Sequence, residues 1–564
     1  MSLRQSLTLL LLASLAAPVT AQTLRLDAPD EIRELLAPYL PEAVPGQRRL
    51  EGQLAEILAT EGYFSPQFSF GNRATEDDDT LPLRIDPGPR TLVSSVTLAV
   101  DGEISPKQRT ALEADWRLPV GAPFRQTDWN AAKQDILARL LAHDYADARL
   151  LDSRAEIDPE ARRAELHAHY ATGPRYRFGP LMVDGLQRFP PSLVARYQRV
   201  AREGDPYTED ALGTLQATLQ ATPYFATVQA RLDREAAVIA DDGSVTAPVR
   251  VTVRERPAHR VGFGGGASSN TGARVEANYH TPDLFGQAWA FDTGLRLEQK
   301  RQVAFADIFL PPDAKQRRHS VGAMAEATDI QGLRTERYAI GGQSVQQRGR
   351  LEQRLSLNWQ EEQRWPDGST PVLSHALVPN VMWTWRQLDN PLDPRTGTVL
   401  QVQIGGGSKA ALSDQNFVRS HGRWQQYIEL CRRNQLALRA ELGYTLADSR
   451  EHIPQDYLFR TGGTGSVRGY AYQSLGVREG SAVVGGRYLA VASAEATHWL
   501  DDAWGVAAFI DAGDAVDSLK DARLAVGYGL GARWRSPAGP IGVDIGYGQR
   551  TEKFQLHFSL AIPF

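Results

Sequence analysis

Residues 289–298, WAFDTGLRLE, alternate between apolar and polar side chains. The apolar members share one face of an extended chain: Trp289, Phe291, Leu295 and Leu297. The opposite face carries acidic, basic and glycine residues. A period of two predicts a β-strand with one oily side and one polar side.

The same alternation recurs through the second half of the chain, for example in LVPNVMWTW at 377–385 and LALRAELGYTL at 436–446. A soluble β-sandwich also alternates. Faces rich in Trp, Tyr and Leu, set against faces of Arg, Glu, Gln and Gly, instead favour a barrel with lipid outside and water inside. We therefore predict an all-β transmembrane barrel over residues 258–564. At about 19 residues per strand and connection it has 16 strands, with 14 and 18 as alternatives.

The last stretch of the sequence, FQLHFSLAIPF at 554–564, also has apolar residues at every second position. They are Phe554, Leu556, Phe558, Leu560, Ile562 and Phe564. An open edge of this kind would promote aggregation, so we expect this strand to pair with the first barrel strand and close the cylinder.

The front half of the chain contains an internal repeat. A helix-like stretch that ends in an aromatic residue occurs three times, with Tyr63, Tyr145 and Tyr224 spaced about 80 residues apart. Each copy shows a strand, two helical stretches and two further strands, which predicts thin two-layer α+β modules of order βααββ. The predicted domains cover residues 22–91, 92–174 and 175–257.

Each of these modules would leave a sheet edge open. An open edge is a template on which a strand of another chain can pair, so the modules could hold extended polypeptide. A mere spacer role is the alternative, and the residues alone do not separate the two.

The first 21 residues have the pattern of a secretory signal peptide. Arg4 precedes an apolar stretch at 7–17, and small residues follow up to Ala21. The pattern predicts removal of residues 1–21, so that the mature chain begins at Gln22. The later sequence has no run of 18 apolar residues, so any membrane span there is expected to be a closed barrel.

Composition and motifs limit the function classes. A net charge of −5 argues against a nucleic-acid partner. The single cysteine, Cys431, cannot form an intrachain disulfide and is expected to be a packed thiol. No nucleophile elbow or zinc-binding helix motif occurs, and the 11 histidines are scattered. We expect no enzymatic activity, no metal and no cofactor.

Several motifs of the second half resemble a known family. YLFRTGGTGSVRGY at 457–470 resembles its loop signature, and FIDAGDAV at 509–516 and SPAGPIGVDIGYG at 536–548 resemble its late barrel strands. This family is the superfamily of outer-membrane assembly and two-partner-secretion barrels, which are preceded by polypeptide-transport-associated (POTRA) domains. With three repeats and this length, the chain is most similar to the TamA-like branch, which comprises the barrel subunits of the translocation and assembly module.

The resemblance implies a location in the outer-membrane lipid bilayer, with the POTRA domains in the periplasm. It implies that the chain inserts or translocates autotransporters and other unfolded outer-membrane proteins. A TamB-like, inner-membrane-anchored protein is the implied partner. A two-partner-secretion transporter that exports one large adhesin or haemolysin is the alternative, although such proteins typically carry two POTRA domains. A passive porin would not need the repeats.

Arg468 lies in the glycine-rich stretch GGTGSVRGY, and no helix is signalled after it, so a nucleotide-binding loop is not favoured. The resemblance implies that this loop folds into the barrel lumen and that the VRGY motif, with Arg468, Gly469 and Tyr470, contacts the wall. Asp511 and Glu495 are the acidic residues that the sequence offers as partners. A buried arginine is costly unless carboxylates match it, so we expect this pairing. Three solvated charges are the alternative.

The seam between the first and last barrel strands has features that weaken a β-ladder. The first strand carries four glycines: Gly262, Gly264, Gly265 and Gly266. The last strand, with Phe558, Leu560 and Phe564, also contains Pro563, which lacks an N–H. These features predict a lateral gate at which a substrate strand pairs with the barrel edge. Ordinary flexibility at the closure is the alternative.

Overall fold

The structure is a computed structural model, and it describes residues 23–41, 46–71, 80–240, 243–536 and 539–560. The predicted signal peptide lies outside the described residues, as do Pro563 and Phe564. The chain divides into two compact units. The first comprises the residues up to 182 with 199–216 and 230–251, and the second comprises 183–198, 217–229 and the residues from 252 onward.

The first repeat forms a three-stranded sheet with two helices. Its elements are β1 (Thr23–Asp27), α1 (Asp30–Leu36), α2 (Gln47–Thr60), β2 (Gln67–Phe70) and β3 (Thr80–Asp86). β1 pairs in parallel with β3, and β2 pairs antiparallel on the other side of β3. Leu50, Leu54 and Leu58 recur every four residues on α2, and they are buried in the same apolar core as Leu83 and Ile85 of β3. The helical period therefore supplies the layer that covers the sheet.

The second repeat has the same plan. Its elements are β4 (Leu92–Asp101), α3 (Pro106–Ala114), α4 (Gln126–Ala142), β5 (Arg149–Asp158) and β6 (Arg163–Ala171). Ser105 and Gln108 form a capping box that fixes the start of α3. One face of α4 is buried through Trp129, Ile136 and Leu140. The sheet order β4-β6-β5 leaves β4 and β5 as its edges.

The third repeat adds one strand to the predicted plan. Its elements are β7 (Tyr176–Asp184), α5 (Pro191–Tyr197), α6 (Glu209–Gln220), β8 (Phe225–Leu232), β9 (Val238–Ile239) and β10 (Val245–Glu255). The sheet order is β7-β10-β8, and the two-residue β9 pairs with the start of β10. The predicted order βααββ is confirmed, but β9 was not predicted, because two residues are too short to show a period. The repeated aromatics Tyr63, Tyr145 and Tyr224 are all buried.

Glu255, at the end of β10, holds the segment before α5. Its carboxylate accepts hydrogen bonds from the backbone N–H of Gln187 at 2.8 Å, of Arg188 at 2.9 Å and of Phe189 at 3.3 Å. The Arg188 guanidinium donates a further bond at 2.9 Å. Burial alone would raise the pKa of Glu255, but the hydrogen bonds from Arg188, Gln187 and Phe189 outweigh it and lower the pKa.

Replacing Glu255 by alanine is expected to loosen this segment by about 1–3 kcal/mol, because three backbone N–H groups and the Arg188 guanidinium lose a charged acceptor. Since the folded pKa of Glu255 is lowered, its contribution is present at neutral pH and is lost as the pH falls below about 4. Amide hydrogen exchange at residues 187–189 measures the effect. The exposed Glu203→Ala is the control, and equal protection in both variants would contradict the prediction.

The second half of the chain forms one large antiparallel sheet. Eleven strands come first: β11 (Arg260–Ser268), β12 (Gly272–Leu284), β13 (Trp289–Glu298), β14 (Arg301–Phe309), β15 (Arg318–Ile330), β16 (Leu333–Arg348), β17 (Leu351–Pro366), β18 (Val372–Leu388), β19 (Gly397–Gly407), β20 (Phe417–Cys431) and β21 (Asn434–Leu446). A short hairpin follows, β22 (Val477–Glu479) and β23 (Ala482–Val484). The last five strands are β24 (Tyr488–Trp499), β25 (Trp504–Val516), β26 (Ala525–Ser536), β27 (Gly539–Gly548) and β28 (Lys553–Leu560). The sheet has 16 strands, with β21 beside β24, so the predicted strand number is confirmed.

The two faces of this sheet differ as the alternation predicted. Large apolar residues such as Leu442, Leu530 and Leu556 point outward and are exposed. Polar residues on the inner side, including Glu362 and Arg364, are 3% exposed. The sheet is therefore a barrel with an oily exterior and a polar lumen.

No helix in the described part of the chain is long and apolar enough to cross a membrane.

Cys431 was expected to be packed, but it is exposed at the turn between β20 and β21, where Asn434 donates a hydrogen bond to its sulfur at 2.9 Å. The prediction was wrong because Cys431 is the last residue of β20, and a register shift between Glu429 and Cys431 interrupts the alternation there.

Candidate functional site

The connection between β21 and β24, residues 447–487, folds against the inner wall of the barrel. Its side chains Phe459, Val467 and Tyr470 are buried in one apolar cluster with Leu489 of β24 and Ala525 of β26. A loop of about 40 residues would normally be exposed and mobile. Burial of its apolar residues on the wall holds this one in place.

Arg468 forms a bidentate ion pair with Asp511 on β25. Its Nε lies 2.7 Å from Asp511 Oδ2, and its Nη2 lies 2.9 Å from Oδ1. The backbone N–H of Arg468 also donates to Oδ2 at 3.0 Å. Asp511 is fully buried, and Arg468 is 2% exposed. This fork geometry is the one in which an arginine binds a carboxylate most specifically.

Two more carboxylates complete the site. Arg468 Nη1 lies 2.5 Å from Glu495 Oε2 on β24 and 3.3 Å from Asp544 Oδ2 on β27. Arg533 of β26 bridges the same two acids, at 2.8 Å from Glu495 and 2.6 Å from Asp544. The result is an alternating network of acids and bases that spans four neighbouring strands.

The Arg468 guanidinium also stacks on the Phe509 ring, with 3.5 Å between the guanidinium carbon and the ring centroid. Burial removes the water that would otherwise solvate these charges. The geometry compensates with direct ion pairs and a cation–π contact. Removal of Arg468 would therefore leave three carboxylates with one fewer partner in a water-poor site.

The two residues after Arg468 are held through backbone contacts. The Gly469 N–H donates to His557 Nε2 of β28 at 2.9 Å, so that nitrogen carries no proton. The Tyr470 hydroxyl donates to the Val526 carbonyl at 3.0 Å and accepts from the Arg550 N–H at 2.9 Å. The whole VRGY motif is thus seated on β25 to β28.

Glycines on the barrel wall allow the backbone of the VRGY motif to approach the strands closely. A Cβ on Gly527 would lie 1.8 Å from the Arg468 carbonyl oxygen, and one on Gly548 would lie 2.4 Å from the Gly469 carbonyl oxygen. Gly469 itself has φ +88°, and its Cβ would lie 2.6 Å from the Tyr547 carbonyl carbon. The loop backbone approaches the strands so closely that side chains cannot fit between them.

Replacing Gly527 by alanine is expected to lift the loop and to destabilise the barrel by about 1–3 kcal/mol, because the methyl group collides with the Arg468 carbonyl. Urea unfolding of the barrel in detergent, followed by tryptophan fluorescence, measures the loss. Gly422→Ala on β20 is the matched control, since its Cβ would be 4.0 Å from its nearest neighbour. Equal stability of the two variants would contradict the close packing of the loop backbone against Gly527.

The other part of the loop is fixed to β17 and to the turn between β15 and β16. The Gln455 N–H donates to Glu362 of β17 at 2.9 Å. Glu479, in the β22–β23 hairpin, accepts from Arg364 at 3.0 Å. The Val483 N–H donates to the Gln331 carbonyl at 3.0 Å. The loop therefore joins two separate arcs of the wall.

The structure brings Arg468 together with Asp511 and Glu495, the two acids offered by the sequence. Sequence reasoning missed Asp544, Arg533 and His557. A signal was available for Asp544, because it is the only charged residue within the quoted motif SPAGPIGVDIGYG. His557 is one of the 11 histidines that are scattered in the sequence, and no role was predicted for it.

The seam residues lie at the two ends of the sheet. Despite its glycines, β11 pairs with β12 along its full length, from Arg260 to Ser268. β11 and β28 are the terminal strands of the sheet order. Among the described residues, the contact given across these ends is a hydrogen bond of 3.4 Å from the Phe558 N–H to Ser269 Oγ. The backbone of Leu560 ends β28, and Pro563 and Phe564 lie outside the described residues.

A search of the described residues for three or more His, Cys, Asp or Glu side chains that could hold a metal ion gave none. The acids around Arg468, namely Glu495, Asp511 and Asp544, are paired with Arg468 and Arg533. The chemistry available at the Arg468 site is therefore electrostatic positioning.

A barrel of 16 strands with an oily exterior, a polar lumen and an inward-folded, ion-paired loop defines a membrane-embedded barrel protein. Residues 257–564 match the Omp85 superfamily domain, and the chain belongs to this family. It is an outer-membrane protein whose POTRA-like modules lie in the periplasm.

One curated relative and two solved structures are similar to this chain. The outer membrane protein assembly factor BamA of Nitratidesulfovibrio vulgaris is 23% identical over an alignment of 507 residues, and the match covers 84% of this chain and 61% of the relative. The chain thus spans about 61% of the length of that curated relative. The crystal structure of Haemophilus ducreyi BamA lacking POTRA domains 1–3 is similar in fold, with a TM-score of 0.66 at 18% identity, covering 83% of this chain and 99% of that chain. CdiB from Acinetobacter baumannii is similar with a TM-score of 0.44 at 12% identity, covering 91% and 95% of the two chains.

Proposed function

We propose that this chain is a TamA-like translocation and assembly factor, which inserts or translocates autotransporters and other outer-membrane proteins. The observation that carries the proposal is the Arg468 network, which ties a long loop to strands β24 to β28 beside the end of the sheet. A pore for small solutes would not need such a fixed loop next to its seam. The three modules before the barrel also support a role with polypeptide substrates.

The modules supply edges on which an unfolded substrate could pair. β4 and β5 are the outer strands of the second sheet, and β7 and β8 are those of the third. An extended polypeptide can add to such an edge through backbone hydrogen bonds alone, which makes binding independent of sequence. Successive modules would then pass a substrate toward the barrel, and a spacer role would not require the edges to stay accessible.

In this proposal the ion-paired loop is a lock. It fixes the curvature of β24 to β28 while β28 separates from β11, so that a substrate strand can pair at the open edge. The glycine-rich β11 and the seam are the parts that move. A TamB-like, inner-membrane-anchored protein would meet the first module, residues 22–91, and bring substrates across the periplasm.

The test is cross-linking in intact cells that carry a tagged chain, followed by mass spectrometry of the captured proteins. A TamB-like protein together with several outer-membrane proteins is the expected result. Deletion of residues 22–91 should remove the TamB-like protein while the barrel still reaches the outer membrane. Capture of one large secreted adhesin, without a TamB-like protein, would instead identify a two-partner-secretion transporter and overturn the proposal.

A further inference from the structure

The outward face of β24 carries small side chains over most of its length. Its lipid-facing positions between Tyr488 and His498 are all alanine: Ala490, Ala492, Ala494 and Ala496. The neighbouring strand β21 faces lipid with leucines, including Leu436 and Leu438, which pair with Ala496 and Ala494. A strand of small side chains beside a strand of large ones leaves a trough along the wall.

At one end the trough widens into a defined depression of about 730 Å³. Its small-residue part is formed by Ala496, Ala508 and Ala532, and its rims carry Leu430 and Leu530. The register explains the shape, because Ala496 pairs with Ala508, so two alanines stand side by side on the outer face. Volumes of about 300–1,000 Å³ are typical of ligand-binding pockets.

The depression lies at the periplasmic end of the barrel. It reaches the short turn between β20 and β21, which is at the same end as the start of β11. Trp504 and Trp534 are stacked at this level, with ring centroids 5.5 Å apart. Aromatic residues at such positions mark the boundary between hydrocarbon and water. The depression thus opens directly below the headgroup region.

Basic and polar groups stand at the headgroup side of the depression. Arg432 and Arg433 are exposed in the turn between Leu430 and Asn434, two residues that line it. His498 is hydrogen-bonded to Asn434 at 2.6 Å on the same rim. The Trp499 N–H donates to the Arg433 carbonyl at 2.8 Å, which holds the turn against the end of β24. Arg432 and Arg433 therefore lie above the apolar trough, and Asp501 of the neighbouring β24–β25 turn interacts with Arg433.

We propose that this trough is a binding site for one phospholipid of the periplasmic leaflet, with an acyl chain along the alanines of β24 and the phosphate at Arg432 and Arg433. The lipid-facing wall is already in contact with acyl chains, and van der Waals packing is the attraction that selects among them in a bilayer. The depression offers contact on its floor and on both rims, whereas a flat stretch of wall would offer contact on one side only. The arginines add attraction for an anionic headgroup.

The test is native mass spectrometry of the full-length protein in detergent, titrated with palmitoyl-oleoyl phosphatidylglycerol. Wild type should retain one tightly bound lipid. Arg432→Gln with Arg433→Gln should weaken its binding about fivefold per arginine, from the contribution of a basic residue near an anionic surface. Ala496→Leu with Ala508→Leu, which fills the depression, should abolish retention of that lipid.

Matched controls exist elsewhere on the barrel. Ala323 on β15 also faces outward, and Arg348 and Arg350 flank the periplasmic turn between β16 and β17. Ala323→Leu and the pair Arg348→Gln with Arg350→Gln should leave lipid retention unchanged. Folding of each variant is checked by the heat-dependent gel mobility of the barrel. Wild-type retention in the filled variant, or equal loss in the controls, would overturn the proposal.

Discussion

Replacing Arg468 by alanine is expected to destabilise the barrel by about 3–5 kcal/mol and to abolish substrate assembly, because one partner of a buried ion network is removed. Asp511 loses the donors of its bidentate pair, and Glu495 and Asp544 keep Arg533 as their partner among the described residues. The uncompensated charge would drive the loop off the wall. Urea unfolding of the detergent-solubilised chain and insertion of an autotransporter into proteoliposomes measure the two effects.

Conservative and unrelated variants separate the lock from general damage. Arg468→Lys keeps the charge but loses the fork, so an intermediate loss is expected. Arg296, which pairs with Glu276 and is 40% exposed, is the control, and its alanine variant should change stability by about 0–1 kcal/mol. If Arg468→Ala matched Arg296→Ala in both assays, the lock would be ruled out.

A disulfide across the seam is expected to abolish substrate insertion while leaving the barrel folded. Cysteines at Ser269 and Phe558, the residues joined by the hydrogen bond across the ends of the sheet, would tie β11 to β28. A substrate strand could then no longer pair with either edge. Because Cys431 is exposed, Cys431→Ser must be the background to prevent mispairing.

Reductant is expected to restore insertion in the seam variant, which shows that the cross-link is the cause. A second pair, at Ser344 and Leu355, serves as a control because these residues pair directly between β16 and β17. That disulfide should have no effect on insertion. Full activity of the oxidised seam variant would show that substrates do not leave through this edge.

The two-residue alternation and the internal repeat of the sequence were enough to predict the architecture. Alternation in stretches such as residues 289–298 separates a lipid face from a polar face, and only a barrel can satisfy its backbone in lipid in this way. The repeat around Tyr63, Tyr145 and Tyr224 gave the three α+β modules, because each copy must bury the same helix face. The short strand β9 and the exposure of Cys431 could not be predicted in this way, since neither follows a period.

The contacts of the Arg468 site could not be predicted from periodicity alone. Family resemblance singled out Arg468, Asp511 and Glu495, but alternation tells which face a residue takes and not which residues of different strands stand at the same height. Asp544 and His557 lie 76 and 88 positions from their loop partners in the sequence. They meet the loop only because sheet register aligns β25 to β28 and because wall glycines let the loop backbone approach. Tertiary structure alone decided these contacts, since register and close approach depend on the packing of strands that are distant in the chain.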